Sequence, residues 1–228
     1  MVRMRDQKRT KAIPFDESAQ PHGQHDVIVI REHRAVAEFA RSLSTIFNPF
    51  ICATALFIIV ARAFSLSTWH FWELSLVGLF FFTVAPMLCV FYLYLSGRIG
   101  DFDMSDRWER RRAFIAFVIV DVAAAVFLIL VHAPSVLIAI TCGYVLSTAV
   151  IMLITRWWKI STHAFGVTGP FAVMFLLFGW QPLPYVAIVP LVCWARVYLR
   201  AHTALQVLAG AALAVVSTLA VFRVFHLI

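Results

Sequence analysis

The segment ARVYLRAHTALQ (195–206) places Arg196, His202 and Gln206 inside a stretch that otherwise reads as lipid-soluble. A second histidine, His163, stands in RWWKISTHA (156–164) beside Lys159 and Ser161, and a third polar cluster, GRIGDFDMSDRWERRR (97–112), supplies Arg107 and Arg110. Two imidazoles and several cations are the parts of a phosphoryl-transfer site. One imidazole attacks phosphorus, the other, protonated, donates to the leaving oxygen, and guanidinium groups hold the charge on the remaining oxygens. This chemistry requires no metal and no cofactor. His163 and His202 are each expected at the start of a helix, where free N–H groups and a partial positive charge favour an anion such as a phosphate monoester or diphosphate.

The elements that must position these groups follow from hydropathy. Of the 228 residues, 62% are hydrophobic and 14% charged, and the mean hydropathy is +0.86. That is far too apolar for a soluble domain and reads as an integral membrane protein. The apolar runs are continuous rather than alternating, which predicts an all-α polytopic helix bundle and excludes a β-barrel. Runs at 45–66, 71–96, 113–132, 135–157, 164–180, 183–199 and 204–225 predict six to seven crossings of roughly 20 residues each. The fifth and sixth are short and contain Gly166, Gly169, Pro170, Pro184 and Pro190, so kinks or breaks are expected there. Trp69, Trp72, Trp157, Trp158, Trp180, Trp194 and Tyr198 cluster near run ends, as interfacial aromatics do. The four cysteines all fall inside apolar runs, with neither CxxC spacing nor nearby ligands, and read as small core residues.

Residues 1–43 form a polar N-terminal tail, whose 27–43 portion has the pattern of an interfacial amphipathic helix, and residues 44–228 form the membrane domain. Counting alternate joints brings the tail and the three polar clusters to one membrane face. That face holds seventeen of the nineteen Lys and Arg residues, Arg62 and Arg223 being the exceptions. The positive-inside rule makes it cytoplasmic and places the protein in the cell (inner) membrane. Membrane topology also accounts for the net charge of +7, so nucleic acid is not an expected partner. The remaining histidines, including His70, His132 and His226, read as structural or solvated.

The clusters resemble the motifs of the type 2 phosphatidic acid phosphatase family. Its third motif, Ser-Arg, five residues, His, three residues, Asp, is matched in spacing by Ala195-Arg196, VYLRA, His202, TAL and Gln206. Its second, Pro-Ser-Gly-His, is echoed by Ile160-Ser161-Thr162-His163. Its first, Lys, six residues, Arg-Pro, is absent as written, with Arg107 and Arg110 offered at another spacing. The resemblance covers roughly residues 97–212. It implies a membrane-bound hydrolase acting on a lipid phosphate or prenyl diphosphate through a phosphohistidine. His202 would be the nucleophile, His163 the general acid and Arg196 the phosphate clamp, with Lys159, Arg107, Arg110 and Ser161 as further phosphate contacts. Gln206 replaces the carboxylate that orients the nucleophile. Its carbonyl can accept the ring N–H, but it brings no negative charge.

Three features admit other readings. Asp101, Asp103 and Asp106 suit either a magnesium site or salt bridges to the neighbouring arginines. Asp121, in mid-run, marks either a proton pathway or a hydrogen-bonded structural carboxyl. Gly210 with its neighbouring alanines points to close helix packing. Altogether the sequence supports a lipid-phosphate phosphatase and, as a second class, a non-catalytic lipid-phosphate binder or transporter on the same scaffold.

Overall fold

The computed structural model describes the backbone of residues 24–100 and 107–228, and the side chains of 34–100 and 108–228. Nine α-helices run through these residues: α1 (Gln24–Ile46), α2 (Pro49–Phe64), α3 (Thr68–Leu79), α4 (Ala85–Leu95), α5 (Arg107–Leu130), α6 (Ser135–Thr155), α7 (Thr162–Phe178), α8 (Ile188–Tyr198) and α9 (Ala204–Val224). There is no strand among them, so the expected all-α class holds. Asp101, Asp103 and Asp106, with both of their readings, lie outside the described residues.

Local chemistry sets the breaks. Asn48 accepts from the Phe50 amide at 2.9 Å, and Pro49 follows in the first turn of α2. This is a start signal that uses a proline where no N–H is needed. Between α3 and α4 the chain stays helical but widens to a π-turn over Phe80–Val84, just before Pro86. A proline lacks the N–H for the carbonyl four residues back and its ring crowds that carbonyl, so the wider turn relieves both problems. The first run after α2 is therefore one segment, 68–95.

Four helical segments are long and apolar enough to cross a membrane: 68–95, 108–130, 135–155 and 204–224. Residues 34–46 of α1 and α2 add a fifth if that pair, bent by 47°, forms one span. The count is thus four to five by length and composition, against the six to seven taken from hydropathy runs. The shortfall lies where breaks were expected. α7 has 17 residues, about 26 Å of helix against a hydrocarbon core of about 30 Å. It ends at Gly179 with φ +63°, beyond which Pro182 and Pro184 fold the chain into turns and a short 3₁₀ segment, Leu183–Tyr185, ahead of α8.

Residues 37–228 form one compact unit. The expected division at residue 43 falls inside α1, which continues to Ile46. In this unit α5 packs most extensively on α6 and α7 on α9. One core gathers Leu56, Phe57, Val60, Leu128, Leu137 and Phe222. A second, formed by Ile99, Ala113, Phe114, Ile151, Ile160 and Ala214, lies beneath the polar joints. Asp121 of α5 is buried and accepts from Thr148 Oγ1 of α6 at 2.8 Å, a polar brace within the best-packed helix pair. The four cysteines are free thiols, each partly buried.

Candidate functional site

The six-residue spacing from Arg196 to His202 is fixed by how α8 ends. Arg200 takes φ +53°, its amide donates to the Val197 carbonyl at 2.9 Å, and the Ala201 amide donates to the Arg196 carbonyl at 3.1 Å. This pair of bonds is a Schellman turn. The His202 amide also donates to the Arg196 carbonyl, at 3.2 Å. The turn therefore folds His202 back beside the residue that precedes it by six.

The next helix begins at once. Thr203 caps α9 by accepting from the Gln206 amide at 3.3 Å, while Gln206 Oε1 accepts from the Thr203 amide at 3.1 Å. The two bonds form a capping box. The same Oε1 lies 3.2 Å from His202 Nδ1. Because the Thr203 N–H can only donate, the side-chain atom facing it must be the amide oxygen. An acceptor at that position requires the proton on Nδ1, leaving the lone pair of His202 on Nε2. Gln206 thus caps the helix and sets the tautomer with one atom.

The joint between α6 and α7 docks on α9. The Ser161 amide donates to the Gln206 main-chain carbonyl at 3.2 Å, and the Ser161 hydroxyl caps α7 by accepting from the Ala164 amide at 3.3 Å. Ser161 is wholly buried, and its hydroxyl serves here as the cap of α7. From α5, Arg110 Nη2 donates to the Ile160 carbonyl at 3.3 Å, and its guanidinium lies 5.7 Å from the Phe114 ring centroid. Three joints far apart in sequence therefore meet at one end of the bundle.

Around them the charges are concentrated and out of water. Arg110 is 5%, Arg196 8% and His202 7% exposed, with Lys159 half-buried. The two guanidinium groups, Arg196 and Arg110, act electrostatically on both imidazoles, His163 and His202. Burial, then the positive charges of Lys159, Arg196 and Arg110, pushes the pKa of His202 from 6.5 down to about 3, against the opposing hydrogen bond to Gln206. The imidazole is consequently neutral near pH 7 and keeps its Nε2 lone pair. His163, in the first turn of α7 and half-buried, faces the main-chain carbonyl of Ser44 near the end of α1.

Of the residues singled out in the sequence, His163, His202, Arg196, Arg110, Lys159, Ser161 and Gln206 come together. Arg107 opens α5, but its side chain lies outside the described residues. Two close approaches fix the docking of these joints: the packing expected at Gly210, and a contact of Pro49 that the sequence does not show. Gly210 faces the Ser161 carbonyl so closely that a Cβ there would come within 3.0 Å of it. Pro49 packs on Gly166, where a Cβ would stand 2.7 Å from Pro49 Cα, and this brings the corner between α1 and α2 onto α7 one turn beyond His163. Thr203 and Gln206 do carry a visible signal, the S/T-x-x-E/Q pattern of a capping box. Among the described residues no group of three or more His, Cys, Asp or Glu side chains gathers as a metal site would require. Comparison with protein-family models, curated proteins and solved structures gives no match.

Proposed function

We propose that this protein is an integral membrane phosphatase that hydrolyses a lipid phosphate or isoprenoid diphosphate through a phosphohistidine, without a metal. The observation that carries the reading is a pair of imidazoles under the influence of the same two buried arginines, one of them locked with its lone pair on Nε2. In the first step the substrate phosphate enters as its monoanion and cedes its proton to His163, Nε2 of His202 attacks phosphorus, the P–O bond to the lipid breaks, and His163 delivers that proton to the leaving oxygen. In the second step the oxygen of a water molecule attacks phosphorus while His163 takes a proton from that water, the P–N bond to His202 breaks, and inorganic phosphate leaves. Arg196, Arg110 and Lys159 hold the non-bridging oxygens throughout. Arg107 is a further candidate for that role.

Substrate of this kind keeps its tail in the bilayer while its headgroup enters the polar end of the bundle. That fits a seven-crossing arrangement in which α7 and the 183–198 segment also traverse the membrane, with the site on the cytoplasmic face. The loss of a carboxylate at position 206 favours a second reading, a binder or transporter of lipid phosphates that no longer turns over. A purified sample in detergent with EDTA and a panel of lipid phosphates separates the two. Phosphate release abolished by His202→Ala and His163→Ala supports the enzyme; binding without release in the unaltered protein supports the binder.

A further inference from the structure

The hydroxyl of Ser44 is one of three helical hydroxyls, with those of Thr155 and Thr168, that are buried without a hydrogen-bond partner among the described residues, and it is the one whose own main chain faces a site histidine. Thr45, Ser75, Thr141, Ser147 and Ser217 each bond back to the carbonyl four residues earlier. Ser44 does not. Its Oγ is buried and has no hydrogen-bond partner among the described residues, and the residue is only 7% exposed. A buried hydroxyl left without a partner costs free energy, and alanine is the better helix former, so neither packing nor propensity explains a serine here.

Its location supplies the explanation. The carbonyl of Ser44 faces the His163 imidazole, and the corner that follows, with Asn48 capping α2 and Pro49 lodged against Gly166, holds this end of α1 on α7. We infer that Ser44 is a further phosphate-contacting residue of the site, its hydroxyl donating to an oxygen of the phosphoryl group bound between His163 and His202. The inference rests on the proposed function and deepens it. α1, which carries none of the motif residues, then contributes directly to recognition of the phosphoryl group. The chemistry fits: a hydroxyl has one proton to give, and an anionic oxygen is its strongest acceptor.

The test is calorimetric titration of the full-length protein in detergent with inorganic phosphate, which reads binding independently of turnover. Ser44→Ala removes the hydroxyl, keeps the carbonyl and favours helix, so its thermal midpoint in phosphate-free buffer should be no lower than that of the unaltered protein. Phosphate affinity is expected to fall by about tenfold, the effect of losing a hydrogen bond to a charged group. Thr45→Ala, which alters the adjacent, exposed and self-bonded hydroxyl, should leave it unchanged. Equal affinity in Ser44→Ala and the unaltered protein overturns the inference while leaving the proposed function standing. Absence of phosphate binding in the unaltered protein, with no release from lipid phosphates, removes both.

Discussion

The Ser161 amide donates to the main-chain carbonyl of Gln206 at 3.2 Å, so the joint that leads into His163 is bonded to the residue that orients His202. Neither histidine is placed by its own helix alone. Each depends on the docking of the α6–α7 joint against the first turns of α9, and the variants below probe that dependence.

Gly210→Ala tests the docking itself. A methyl group there meets the Ser161 carbonyl, which is main chain and cannot swing aside. The substitution should destabilise the protein by about 1–3 kcal/mol and reduce phosphate binding with it. Gly169→Ala is the control, since its new Cβ would lie 3.9 Å from the Ala214 Cβ, an ordinary contact. Thermal midpoints of the two variants should differ clearly, with only Gly210→Ala lowered.

Much of this arrangement was legible in the sequence, for reasons the structure makes concrete. Hydropathy located the helices because each of the seven runs overlaps an α-helix, or at 68–95 one continuous helical segment. The spacing of Arg196, His202 and Gln206 was informative because a Schellman turn and a capping box each occupy a fixed number of residues. The number of crossings was less legible: run length overstates α7 and α8, whose ends are set by Gly179, Pro182 and Pro184. The Pro49–Gly166 contact and the part played by Ser44 left no sequence signal, because they depend on where the corner between α1 and α2 docks. The two roles of Gln206 are half visible: its spacing from His202 marks the place of an orienting carboxylate, and its spacing from Thr203 marks a capping box.

Arg200→Val should disturb the site from a distance. The residue sits at φ +53°, which a β-branched side chain tolerates poorly and glycine tolerates well. Arg200→Gly is expected to keep both stability and phosphate affinity, whereas Arg200→Val should lose about 1–2 kcal/mol. If the two behave alike, the turn does not control the placement of His202.

Gln206→Glu isolates the missing charge. Glutamate has the same reach, so the bonds to the Thr203 amide and to His202 Nδ1 can persist while a negative charge is added beside the phosphorylated ring. Turnover should rise by at least about tenfold, a small part of the roughly 10⁴-fold effect of the converse carboxylate-to-amide change in a serine protease triad. Gln206→Asp is too short by one methylene to serve both partners and should gain less. Steady-state kcat for the three proteins checks the order.

The acid sensitivity of the fold should depend on His202. Its folded pKa of about 3 lies below the usual 6.5, so between these values the unfolded chain binds a proton that the folded chain refuses. Stability should therefore fall as pH drops from about 6.5 towards 3 and then level off. Thermal midpoints in phosphate-free buffer between pH 7 and pH 4 should decline less steeply in His202→Gln than in the unaltered protein. Parallel slopes would mean that the imidazole is not held neutral.

The central claim is that His202 Nε2 becomes bonded to phosphorus, and trapping that bond tests it most directly. The purified protein is mixed with radiolabelled phosphatidic acid in EDTA, quenched in alkali, where phosphohistidine survives, and mapped by mass spectrometry. Label is expected on His202 at Nε2 in the unaltered protein, accumulating in His163→Ala with an aryl phosphate that needs no acid, and absent in His202→Ala. Release of phosphate with label on no histidine, or label that persists in His202→Ala, would contradict the claim.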